Sequence, residues 1–131
     1  MTSHALSLKQ PWATMLVHGI KCVEVRVWPT DRRGRILVHA ARVPDPRPDA
    51  WKHIPPHLQD FTRLAGGIVG AATLVGCTTY RTAAEFAAEQ ELHKNELSWF
   101  RPPLYGFRFE HPEVLPFRRL PGWMRFFPVE E

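Results

Sequence analysis

At 131 residues, with 44% hydrophobic and 11% aromatic side chains, the chain is sized for one domain over residues 1–131 and lies far from the composition of disordered segments. No run approaches the ~20 apolar residues of a membrane span, the first residues lack a basic and then apolar leader, and two cysteines fall short of a disulfide framework, so a cytoplasmic protein with no membrane partner is expected. Seventeen Lys and Arg against thirteen Asp and Glu leave a formal charge of +4, a mild signal for a polyanionic partner that does not by itself assign one.

Leu6 and Leu8 flank Ser7 as a short alternating strand, and Pro11 then fits the first turn of a helix, where its missing N–H costs nothing. Trp12, Met15 and Leu16 form one apolar stripe that ends at Gly19, a residue suited to the left-handed position after a helix. Val23, Val25 and Val27 alternate with Cys22, Glu24, Arg26 and Trp28, which predicts a two-faced strand. The turn-like segment from Pro29 to Gly34 and the β-forming run from Arg35 to Ala41 suggest that this strand returns as a hairpin.

Prolines between Val43 and Pro48 impose a loop, followed by a predicted helix around Leu58, Phe61 and Leu64 that Gly66 and Gly67 close. The run from Ile68 to Cys77 is apolar on both faces, as in a buried strand. Thr82 and Glu85 make a capping-box pattern ahead of Phe86, so a third helix starts there. Tyr105, Phe107 and Phe109 alternate in another strand, and Pro112, Pro116, Pro121 and Pro128 are expected to divide the remainder into short pieces. This order predicts an α+β fold, a small curled or closed sheet with helices packed outside it.

The chemistry concentrates between Gln10 and Trp28. Glu24 and Arg26, two apart on a strand, leave the same face, and Lys21 stands at the mouth of that strand. A solvated face with a weak ion pair is the alternative to a binding site. Trp12 lies on the apolar stripe and suits the core, whereas Trp28, on the Glu24 and Arg26 face, is the better stacking candidate. Arg32, Arg33 and Arg35 cluster at a turn with Lys9 nearby, either extending a positive surface or simply solvated. His53 and His57 are four apart, but Ile54-Pro55-Pro56 interrupts any helix joining them, so no metal is expected. The glycines match neither a phosphate loop nor a dinucleotide fingerprint, and no cofactor is expected.

The string from Leu6 to Ala13 with its Gln-Pro-Trp element, then Gly19-Ile20-Lys21, Val23-Glu24-Val25-Arg26 and Arg33-Gly34-Arg35, resembles the ASCH family, most closely the C-terminal domain of the activating signal cointegrator. That resemblance implies a PUA-like β-barrel that binds nucleic acid, RNA more than DNA. Its cleft would be lined by Lys21, Glu24 and Arg26, with Gln10, Pro11 and Trp12 as one wall. Phosphate contacts from Lys21 and Arg26, a base amino group donating to Glu24, and stacking on a tryptophan would suit such a ligand. Other members of the group resemble amidohydrolases acting on modified cytidine, or nucleases, which makes a small hydrolase using Lys21 and Glu24 the alternative. In the amidohydrolases a threonine stands where this chain has Glu24, so the covalent route through a hydroxyl is missing.

Overall fold

The computed structural model describes residues 1–131. Strand β1 (Thr2–Leu8) leads into the two-turn helix α1 (Trp12–Val17), whose six residues are all buried, and Gly19 follows it with φ +75°. Next come β2 (Val23–Arg26), β3 (Gly34–Ala40), β4 (Gly67–Tyr80), the short helices α2 (Ala83–Ala88) and α3 (Gln90–His93), β5 (Leu104–Arg119) and β6 (Phe126–Glu130). All six strands form one sheet in the order β2-β5-β4-β3-β1-β6, in which β1 and β3 run parallel and every other neighbour antiparallel.

This sheet curls into a half-barrel. Phe107 on β5 and Phe126 on β6, far apart in strand order, stack with ring centroids 6.0 Å apart, and Trp28 meets both edge-on. The main core fills the concave side, where Leu6, Leu8, Ile36, Val38, Val69 and Leu74 meet Met15 and Leu16 of α1. A second cluster of Ala5, Leu37, Ile68, Ala71, Phe127 and Val129 covers the convex side. Strand β4 is therefore buried on both faces over much of its length, which explains its continuous apolar run.

Three expectations from the sequence change here. Strand β2 does not return as a hairpin on β3: Val23 to Arg26 pair antiparallel with Arg108 to Tyr105, while β3 lies between β4 and β1. Residues 27–33 are a crossing rather than a turn, because Trp28 anchors on Phe107 and Phe126 and carries the chain over the barrel mouth. The helix expected around Leu58 is a series of single 3-10 turns, Pro48–Trp51, Pro56–Leu58 and Phe61–Arg63, since closely spaced prolines prevent propagation. Strand β5 runs unbroken through Pro112 and Pro116. Only its Tyr105–Arg108 portion is covered by β2, so both prolines lie where one side of the strand is an open edge and a missing N–H is tolerated.

The capping box is formed as the sequence predicts, with Thr82 Oγ1 accepting from the Glu85 N–H and Glu85 accepting from the Thr82 N–H. Cys22 and Cys77 are free and half-buried. No helix is long and apolar enough to cross a membrane.

Candidate nucleic-acid interface

Where α1 ends, the Ile20 and Lys21 N–H groups both donate to the Met15 carbonyl, turning the chain so that the Lys21 side chain runs inward along the helix. Lys21 is 2% exposed. Its ammonium lies 2.9 Å from Glu24 Oε1 and 4.2 Å from the centre of the Trp12 ring. The other carboxylate oxygen of Glu24 lies 3.1 Å from Arg26 Nη2, which also donates to the Ser7 carbonyl at 2.8 Å. The sequence-predicted face is thus a buried chain of charges, cation, anion, cation, reaching from α1 through β2 to β1. Arg26 Nε, buried, has no hydrogen-bond partner.

Burial disfavours the charged form of Lys21 and lowers its pKa, with Glu24 acting in the opposite direction. For Glu24 burial would raise the pKa, but the attraction and hydrogen bonds of Lys21 and Arg26 outweigh it and the net direction is down. Glu24 therefore stays ionised near neutral pH. Each of its oxygens already faces a cation, an arrangement that makes it an acceptor and charge anchor and a poor general base.

These residues line a cleft of about 460 Å³ with Ser7, Lys9, Trp12, Trp28, Asp45 and Arg47. Four cations, Lys9, Lys21, Arg26 and Arg47, stand against the two carboxylates Glu24 and Asp45. Trp12 is 6% exposed and edge-on to Trp99, so most of its ring packs in the core while one face borders the cleft under Lys21. Trp28 is half-buried on the opposite wall, with the Arg125 guanidinium 4.8 Å from its ring centre.

Asp45 is a part of this site that the sequence reading missed. It accepts from Trp12 Nε1 at 2.8 Å and from the backbone N–H, Nε and Nη2 of Arg47, while its backbone carbonyl accepts from Trp51 Nε1 at 2.8 Å. Burial would raise its pKa, yet the hydrogen bonds from Arg47 and Trp12 bring it down to about 2. Arg47 in turn covers Trp99 at 3.6 Å. The proline-rich loop is thereby pinned over Trp12. A carboxylate and an arginine two apart in a loop full of prolines give no periodic signal, and Trp12 stands 33 residues away.

Other sequence candidates are placed elsewhere. Gln10 is 1% exposed and uses its amide internally: its oxygen accepts from the Thr14 N–H and hydroxyl, and its nitrogen donates to the Leu64 carbonyl. Gln10 and Pro11 support the helix that carries Trp12 but do not line the cleft. Arg35 points away and pairs with Glu113 and Glu131. Arg32 and Arg33 border a separate depression that shares Trp28 with the cleft.

The ASCH domain family model matches residues 6–115, so the chain belongs to the ASCH domain family. Activating signal cointegrator 1 of Homo sapiens is 54% identical over 43 residues, covering 32% of this chain and 7% of that protein. Its Mus musculus counterpart is 57% identical over 35 residues, 27% of this chain and 6% of that protein. The matched stretch thus spans less than a tenth of either relative. Among solved structures, the ASCH protein of Zymomonas mobilis superposes with a TM-score of 0.65 at 16% identity, covering 90% of this chain and 73% of that one. A point variant of the same bacterial protein gives 0.64 at 16% identity, covering 90% and 76%. These likenesses establish the fold, a curled half-barrel of the ASCH type, and family membership supports association with nucleic acid at a coarse level.

Proposed function

We propose that the chain binds RNA, holding one nucleotide of a single strand in the cleft beside α1. The observation that carries this reading is the buried Lys21-Glu24-Arg26 chain of charges, which opens into a cleft with more cations than carboxylates and ends in an unpartnered Arg26 Nε. A buried donor without an acceptor costs free energy that a ligand oxygen would recover. Phosphate supplies such an oxygen, and Lys9 and Arg47 at the rim add attraction for the backbone. Glu24, with free lone pairs on both oxygens, accepts from a base amino group, and the exposed side of Trp28 offers a stacking surface. Shape, charge and donor set together favour binding over chemistry.

The test is titration of fluorescent RNA and DNA oligonucleotides at several salt concentrations, with the same samples run on gels for cleavage. The expected result is binding that weakens linearly in log affinity against log salt, at about 0.7 per phosphate contact for a single strand, with RNA preferred and left intact. Micromolar protein that shifts no oligonucleotide at low salt would refute the reading.

A further inference from the structure

Beside the main cleft lies an open depression of about 520 Å³ bordered by Trp28, Thr30, Arg32, Arg33, Arg125 and Phe126, with Asp31 as its single carboxylate. Three arginines meet there, and none of them enters an ion pair. Unmatched guanidiniums gathered in one depression repel one another, and an anion relieves that repulsion. Their placement is also constrained. Arg125 has φ +53°, a left-handed backbone that an arginine adopts only at a cost, and this conformation sets its guanidinium over Trp28. Arg32 lies 5.2 Å from the centre of the Phe126 ring.

Trp28 borders both the depression and the main cleft, so the two sites are contiguous across one indole. Resting on the reading of the cleft as an RNA site, we propose that Arg32, Arg33 and Arg125 form a second subsite that holds the internucleotide phosphate next to the nucleotide bound in the cleft. The ligand is then an extended strand that bends around Trp28, rather than a lone nucleotide. Trp123, 74% exposed on the loop that carries Arg125, supplies a ring for the base beyond that phosphate. Arg32 and Arg33 lie within the residues matched by the family model, whereas Arg125 and Trp123 lie outside them, so it is the loop before β6 that completes this subsite.

The test compares a fluorescein-labelled oligouridylate of roughly a dozen nucleotides, enough for several phosphate contacts, with uridine monophosphate, each against wild type, Arg125→Gly, Arg125→Lys, Trp123→Ala and Lys21→Met. Glycine accepts the left-handed backbone at position 125, so the Arg125→Gly protein is expected to melt no lower than wild type. It should bind the oligonucleotide about ten-fold more weakly, with a salt slope reduced by about 0.7, and bind the mononucleotide as wild type does. Arg125→Lys should recover the slope, and Trp123→Ala should weaken oligonucleotide binding without changing it. An unchanged slope in Arg125→Gly, or equal losses for oligonucleotide and mononucleotide, overturns the subsite, while mononucleotide bound by the wild type and lost in a Lys21→Met protein that its melting curve shows to be folded keeps the cleft. Failure of the wild type to bind the oligonucleotide at low salt overturns both.

Discussion

Removing the Lys21 ammonium leaves Glu24 buried against one cation instead of two, and the sequence gives no warning of that cost. Charges on a strand face ordinarily contribute little to stability, but Lys21 is 2% exposed and tied to Glu24 at 2.9 Å. Lys21→Met is therefore expected to lower stability by about 3 kcal/mol, read as a clear drop in melting temperature, because it strands a buried carboxylate. A pairing of Lys21→Met with Glu24→Leu should restore part of that loss. Asp45 gives a second residue-scale outcome. Its folded pKa of about 2 lies below the value of an unfolded aspartate, so its contribution is present above about pH 4 and is lost as pH falls toward 2. Asp45→Asn should flatten the stability profile in that window, measured by chemical denaturation at each pH, and should loosen the loop over Trp12. Glu24 offers no hydroxyl nucleophile, and its carboxylate is held ionised by two cations. We expect no acetate release from acetylated cytidine above a no-enzyme control; turnover abolished by Glu24→Gln would promote hydrolysis to the leading reading.

Helix α1 is held against the sheet where β4 has no side chain in the way. A Cβ at Gly70 would meet the Glu113 carbonyl oxygen and lie 2.5 Å from Val17 Cγ1, within a stretch of shifted register between β4 and β5. Gly70→Ala should cost about 2 kcal/mol or more, and because α1 carries Trp12 and leads to Lys21, affinity should fall with it. Local periodicity made α1, β3, β4 and the capping box of α2 legible. Strand β5 was not legible past Phe109, because prolines that would end an interior strand are harmless along an open edge. The absent hairpin has a similar cause: the residues after Arg26 look like a turn, yet Trp28 is drawn to aromatic rings of β5 and β6 that only the folded chain brings together. The site divides the same way. Glu24 and Arg26 on one face follow from alternation, whereas Asp45 and Arg125 join through contacts that no spacing records.

At the scale of the whole molecule, two buried histidines set the response to acid. His39 donates from Nε2 to the Leu120 carbonyl at 2.7 Å and accepts at Nδ1 from the Ser7 hydroxyl at 2.9 Å, and His93 contacts the Phe86 carbonyl at 2.8 Å. Burial lowers the pKa of both, the Leu120 and Phe86 carbonyls acting in the opposite direction. The unfolded chain then takes up protons first, so stability is full above about pH 6.5 and declines as pH falls below it. The melting temperature should fall between pH 7 and 5, and less steeply in His39→Gln.

The half-barrel also has a slit, since β2 and β6 end the sheet without pairing to each other. Arg26 reaching the Ser7 carbonyl, Trp28 wedged against Phe126 and Arg125 set over Trp28 clasp it beside the cleft. An occupant lying along that slit adds another clasp, gripping both lips at once. Backbone amides of β2 and β6 should therefore exchange with deuterium more slowly when RNA is bound, while those of β4, already enclosed, should not change.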